Sequence, residues 1–395
     1  MDNFRRILED SVATGENIGI SARITHKGKD LFRGAAGYAD KENNVPLTCD
    51  SLFRVFSSTK IIIAVAALRL FEQGYFALDD PVAKYLPMFK DLKVISYTGD
   101  GQRTTVPART PVTIRHLFTM TAGYSYQIPV ALFNAPRHFE DARALTEQIL
   151  GDAVCQPKLT SDKMLEAIAS IPLAFEPGTE WLYGVCSDVL AALVETIVQK
   201  PFGTHLKEEY FAPLGMKDTS FRPNPEQLKR LAVLYDFSNP QNPVPFDTST
   251  FYISHRPDST NEHLVGALYS TLDDFSVFLQ MMANDGIHEG RRYIGKNTLK
   301  AMGSDQLLDH QRACLHRTRF ITGAASWGLM CRVTTKLAGS NPYLMPGSYG
   351  WGGWAGTQTS IDPNHGLTIT MMVQRAPHVS YLPMSRLMQT AYGMI

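Results

Sequence analysis

Charge, cysteine and long apolar runs are all scarce in this chain. Of its 395 residues only 19% are charged, and 38 basic side chains meet 38 acidic ones. A nucleic-acid binder would carry a basic surplus, so this balance argues against that class. A disordered chain would combine low hydrophobicity with high net charge; here 44% of residues are hydrophobic and the net charge is zero. The longest fully apolar run, Ile61 to Leu68, falls far short of the roughly 20 residues a membrane helix needs, so no membrane partner is expected. Arg5 and Arg6 lead into Ile7-Leu8-Glu9-Asp10 rather than an apolar stretch. That pattern is not a secretory signal, and a cytoplasmic, reduced protein is expected.

The five cysteines (Cys49, Cys155, Cys186, Cys314, Cys331) are scattered and form no CxxC pair. Neither a zinc site nor a disulfide framework is suggested. The 11 histidines supply no HExxH and no paired metal spacing, and no metal or organic cofactor is implied. The absence of a GxSxG elbow counts against an α/β-hydrolase. No internal repeat or low-complexity tract interrupts the chain.

What is present has a clear order. Ile18 to Gly37, with Lys27-Gly28-Lys29 at its middle, reads as strand, turn, strand. Ser58 to Gly74, Thr113 to Met120, Ser187 to Val198, Leu272 to Asn284 and Met384 to Tyr392 read as helices. Asp80 is expected to cap a short helix with Pro81 at its first position, while Tyr97 to Pro111 and Asn239 to Asp247 read as loops. Thr357 to Ile361 and Leu367 to Val373, joined by Asp362-Pro363-Asn364-His365-Gly366, form a hairpin signal. The expectation is an α+β fold: a layer built from both termini, residues 1–56 and 265–395, with a mostly helical domain, residues 57–264, inserted between.

Three segments could carry chemistry. Ser57-Ser58-Thr59-Lys60 is the one SxxK tetrad in the chain, and eight apolar residues follow it directly. The spacing places Ser57 and Lys60 one turn apart on one face, at the mouth of a helix that is apolar all round and therefore buried. A desolvated lysine there loses proton affinity and can take the serine proton. The same residues serve equally well as a helix cap and a solvated first-turn lysine. Tyr183 precedes the apolar helix and could share a proton with a lysine, although it is one of 16 tyrosines. Gly350-Trp351-Gly352-Gly353-Trp354-Ala355-Gly356 loosely matches a dinucleotide fingerprint, but a strand follows it, not a helix. Glycines there would let another backbone or a ligand approach.

In this order and at these separations, Phe53-Arg54-Val55-Phe56-Ser57-Ser58-Thr59-Lys60, then Tyr183, then Trp351-Gly352-Gly353 before a strand, resemble the serine β-lactamase and penicillin-recognising superfamily. The likeness is nearest to class C β-lactamases and family VIII carboxylesterases. Gly74 to Pro87, Thr113 to Gly123, Phe211 to Phe221 and Ser270 to Met282 extend it over nearly the whole chain. The resemblance implies a β-lactamase/DD-peptidase-like antiparallel sheet flanked by helices, with the site against a helical domain. It implies Ser57 as acylated nucleophile and Lys60 as base or proton shuttle. Tyr183 would be partner in both half-reactions, and the backbone N–H groups of Ser57 and Trp354 would form the oxyanion hole.

Two departures bear on substrate. The chain has neither Tyr-x-Asn, since Tyr183 is followed by Gly184-Val185, nor Lys-Thr-Gly, whose slot holds Trp351-Gly352-Gly353. Groups that would hold an anionic β-lactam are thus replaced by bulk, and Trp351, Trp354, Tyr124 and Tyr126 are expected to line an apolar pocket. A serine carboxylesterase acting on small esters, or transferring acyl groups from them, fits best. A β-lactamase or D-amino-acid peptidase of the same fold, and a non-turning-over binding or scaffold protein, are the alternatives. The oligomeric state is left open.

Overall fold

Lys27 and Gly28 both take positive φ, 50° and 78°, and turn the strand Gly19–His26 back into Lys29–Asp40. This tight turn is the kind that matches the twist of two antiparallel strands. The structure is a computed structural model describing residues 2–126, 135–154, 161–248, 266–317, 321, 323–336, 344–377 and 382–395. The second expected hairpin forms as Gln358–Asp362 and Leu367–Val373, which pair antiparallel. Leu367–Val373 then pairs antiparallel with Gly19–His26, placing Ile20 opposite Val373, Ala22 opposite Met371 and Ile24 opposite Ile369.

Those pairings join the two ends of the chain in one eight-stranded sheet. Its order is Ala325–Trp327, Arg332–Thr334, Tyr349–Gly350, Gln358–Asp362, Leu367–Val373, Gly19–His26, Lys29–Asp40, Val45–Pro46. All neighbours run antiparallel. Leu367–Val373 is buried at every position, because helices cover both faces. Asp2–Ala13 and Leu382–Tyr392 pack on one face through Phe4, Ile7, Met384 and Leu387 against Ile20, Ile24 and Ile369. Leu272–Ala283 packs on the other face, where Ser276 bonds Thr370 at 2.9 Å. The fold is therefore the α+β, two-termini sheet that the sequence suggests.

Thr59–Glu72 packs on Cys186–Val198, which also meets Ile114–Phe118, Ser161–Ser170 and Phe202–Leu206. Its run Ile61 to Leu68 is at most 1% exposed. Burying a side chain of this kind stabilises by roughly 1.5–3 kcal/mol relative to leaving it in water, so this helix anchors the core.

Three local expectations need correction. Asp80 does not cap a helix: its carboxylate accepts from the Ala77 N–H, Lys84 Nζ and the Tyr85 hydroxyl, while Pro81 takes the cap of a single 3₁₀ turn, Val82–Lys84. Tyr97 to Pro111 is not a plain loop. Lys93–Tyr97 and Arg103–Pro107 form a ribbon around the Gly99–Gly101 turn, its second strand wholly exposed. The β-branched run Thr104-Thr105-Val106 suits a strand even without a buried face. The Asn239 to Asp247 loop also holds a two-residue strand, Val244–Pro245. The expected domain boundary at 264/265 and Cys155 lie outside the described residues. Among the described residues Cys49, Cys186, Cys314 and Cys331 are free thiols, and no helix is long and apolar enough to cross a membrane.

Candidate active site

Ser57 stands at the apex of a sharp strand-to-helix turn. The buried strand Leu52–Phe56 ends on Phe56, whose φ is +45°. A non-glycine residue adopts that left-handed conformation at a cost of order 1 kcal/mol or more. The helix Thr59–Glu72 starts two residues after Ser57, with Ser58 at its N-cap. The turn is pinned by the Thr59 hydroxyl donating to the Phe56 carbonyl at 2.6 Å and the Ser58 N–H donating to the Val55 carbonyl at 3.1 Å. Ser57 is half-buried, whereas Ser58, Thr59 and Lys60 are fully buried.

Lys60 reaches back one turn, and its Nζ lies 3.0 Å from Ser57 Oγ in a hydrogen bond. The ammonium also faces two aromatic rings, 4.8 Å from the centroid of Tyr183 and 5.1 Å from that of Tyr126. Desolvation draws Lys60 down to about 7, against the opposing pull of the Asp188 carboxylate. A lysine in that range exchanges its proton readily near neutrality. Of the two readings of the tetrad, a solvated first-turn lysine is excluded by this burial.

Tyr183 closes the constellation. Its hydroxyl lies beside Ser57 and accepts from the Trp351 indole Nε1 at 2.9 Å. Burial pushes the phenol well up, and Ser57 and Trp351 pull it part of the way back. Gly184 makes this possible: a Cβ there would sit 2.0 Å from the Tyr124 carbonyl oxygen. The Tyr124–Tyr126 segment can thus lie against the Tyr183 loop. The position of the missing asparagine holds Val185, buried at the N-cap of Cys186–Val198.

The tryptophan turn meets the nucleophile turn. Gly352 bridges Gln358, and a Cβ on Gly353 would fall 2.5 Å from the Val55 carbonyl oxygen and 3.4 Å from Phe56 Cβ. Glycine here lets residues 353–354 approach the backbone just before Ser57. The Trp354 ring lies against Phe56 at 5.5 Å and Phe246 at 5.7 Å. Trp351 packs edge-on to Trp327 at 4.7 Å, and Trp327 in turn packs on Trp181 and Tyr183.

The structure thus brings Ser57, Lys60, Tyr183, Tyr126, Trp351, Gly353 and Trp354 together. It does not bring Tyr124: that ring is fully buried in the core, edge-on to Phe89 at 6.3 Å, and only its backbone touches the site loops. Sequence reasoning missed Trp327 and Trp181, whose place in the aromatic wall depends on tertiary packing. Among the described residues no cluster of histidine, cysteine and carboxylate groups could hold a metal ion.

The strained turn thus presents a serine to a desolvated lysine, with a tyrosine ring over the lysine. The Beta-lactamase family model matches residues 4–390, and the chain belongs to that family. It is 31% identical over 388 residues to Protein Rv1367c of Mycobacterium tuberculosis, covering 96% of this chain and 91% of that protein. It is 34% identical over 237 residues to Esterase EstB of Burkholderia gladioli, covering 60% of this chain and 54% of that one. Among solved structures it superposes on EstCE1, a hydrolase with promiscuous acyltransferase activity, with TM-score 0.77 at 22% identity, over 99% and 98% of the two chains.

Proposed function

We propose that this protein is a serine carboxylesterase that works through an acyl-enzyme on Ser57. The observation that carries the reading is the 3.0 Å bond between Ser57 Oγ and a lysine with no solvent exposure. Ser57 Oγ attacks the ester carbonyl as its proton passes to neutral Lys60. Tyr183, beside Ser57, relays that proton to the departing alkoxide, which leaves as the alcohol. Water then attacks the acyl-enzyme, giving its proton to the same pair, and Ser57 recovers its proton as the acid leaves. The backbone N–H groups of Ser57 and Trp354 stabilise the oxyanion in both steps.

The substrate is a small neutral ester. Trp351 and Val185 occupy the slots where lysine and asparagine would grip an anionic β-lactam, and the wall of Trp351, Trp354 and Tyr126 favours apolar groups. Esterase EstB, similar in sequence, supports this choice. An aromatic site also suits an alcohol as acceptor in place of water, and acyl transfer is the second reading; EstCE1 is a hydrolase with promiscuous acyltransferase activity. The test is parallel turnover of p-nitrophenyl butyrate and a chromogenic cephalosporin, with Ser57→Ala as control. Ester turnover that vanishes in the variant, with little β-lactam turnover, is expected. Dominant β-lactam turnover, or full ester turnover in Ser57→Ala, would overturn the reading.

A further inference from the structure

The Lys60 ammonium lies in a notch between two tyrosine rings. Its Nζ is over both, 5.1 Å from the centroid of Tyr126 and 4.8 Å from that of Tyr183, and the two centroids are 5.3 Å apart. Ser57 Oγ, at 3.0 Å, takes a third side of the nitrogen. Tyr183 belongs to the proton relay; Tyr126 does not. The backbone brings the Tyr126 ring to this place. Gly123 takes a φ of +95°, and its carbonyl accepts from the Ala174 N–H at 2.8 Å. On the other side, a Cβ on Gly184 would fall 2.0 Å from the Tyr124 carbonyl oxygen and 2.9 Å from the Ser125 nitrogen. Residues 123–126 are thus held between the strand-like Leu173–Ala174 segment and the loop that carries Tyr183, and the Tyr126 ring packs on the core.

A fully buried ammonium has given up its water. The face of an aromatic ring is the negative side of its quadrupole, and it attracts a cation within about 6 Å, more strongly where water is excluded. We propose that Tyr126 is a positioning residue for Lys60: the face of its ring holds the ammonium beside Ser57 Oγ as the serine gives up its proton. The proposal rests on the reading of Lys60 as the base, and adds to it a group that neither gives nor takes a proton. The other titratable groups whose charge or ring acts on Lys60 are Tyr183 from its loop, and Cys186 and Asp188 from the facing helix. Burial pushes the two phenols well up and the Cys186 thiol to about 12, so these three stay neutral near pH 7. The Tyr126 hydroxyl lies beside Ser187, and phenylalanine keeps the ring without it.

The experiment changes the charge on the ring face and keeps the shape of the ring. The pH profile of kcat/KM for p-nitrophenyl butyrate is measured from pH 5 to 9 on the full chain, for the natural protein, for Tyr126→Phe, and for the same variant with trifluorophenylalanine or pentafluorophenylalanine at that position. Fluorine draws electron density out of the face and weakens its hold on a cation. The ammonium is then less stable, so Lys60 releases its proton at lower pH and is a weaker base once free. The rising limb is expected to move stepwise to lower pH along the fluorinated series, by about half a unit or more from phenylalanine to the pentafluoro ring. The plateau is expected to fall several-fold. A limb at one pH in Tyr126→Phe and both fluorinated proteins, all folded, overturns the proposal even if the rates differ, since packing alone would alter the rate at every pH alike. Should the pentafluoro protein not fold, the trifluoro ring against phenylalanine decides by the same criterion. A natural protein with no rising limb at all overturns the reading of Lys60 as base, whereas a limb that ignores fluorine overturns the role of Tyr126 alone.

Discussion

The indole Nε1 of Trp351 donates a 2.9 Å hydrogen bond to the hydroxyl of Tyr183. One residue therefore does two things in the slot that departs from Lys-Thr-Gly. It removes a cation from the pocket and keeps a donor on the tyrosine. In the proposed mechanism a neutral donor would stabilise a developing phenolate without attracting an anionic substrate, so an ester-directed site could keep a proton shuttle.

Trp351→Phe separates those two contributions, because the ring stays and the N–H goes. A hydrogen bond of this kind is worth about 1 kcal/mol net, so kcat for p-nitrophenyl butyrate is expected to fall roughly five- to ten-fold with KM little changed. Steady-state kinetics check this; an unchanged kcat would remove the indole N–H from the mechanism.

The proton affinity of Lys60 fixes a pH dependence. Burial lowers it to about 7, and in the proposed mechanism the neutral amine accepts the Ser57 proton. Activity should therefore rise with pH through the neutral range rather than stay flat, with the limb belonging to the coupled Lys60–Tyr183 system. Lys60→Ala should abolish this limb and reduce kcat/KM by 10²-fold or more, about what loss of a general base costs. A pH–rate profile that is flat from pH 5 to 9 would contradict the assignment.

Gly353→Ala tests the contact between the two turns. The added Cβ would lie 2.5 Å from the Val55 carbonyl oxygen, and Val55 belongs to a strand paired with Gly266–Thr271 that cannot easily yield. The tryptophan turn must then move away from Ser57. We expect a loss in kcat/KM of about ten-fold or more from displaced oxyanion donors, with far-UV circular dichroism unchanged. Retention of full activity would show that residues 353–354 do not contribute.

Much of this architecture was legible in the residues, for local reasons. The Lys27-Gly28 and Asp362–Gly366 turns mark two hairpins whose strands meet in the sheet. The SxxK tetrad stood out because an apolar run follows it, and that run is indeed buried. The Arg103–Pro107 strand escaped notice because it buries no face, so no hydrophobic alternation marks it. The left-handed Phe56 left no local trace, since phenylalanine has no preference for that conformation. Tyr124 was misassigned to the pocket because composition does not say which of two nearby tyrosines turns inward. Trp327 and Trp181 reach the site only through strand order and loop packing, neither of which has a signature in the local sequence.

The most direct test of the account is to trap the intermediate. The protein is mixed with p-nitrophenyl butyrate, quenched in acid within the first turnovers, digested and mapped by mass spectrometry. The account expects a butyryl group on the peptide holding Ser57, absent from Ser57→Ala and longer-lived in Tyr183→Phe. Butyryl on another residue, or burst-free turnover with an unmodified Ser57 in Tyr183→Phe as well, would contradict it.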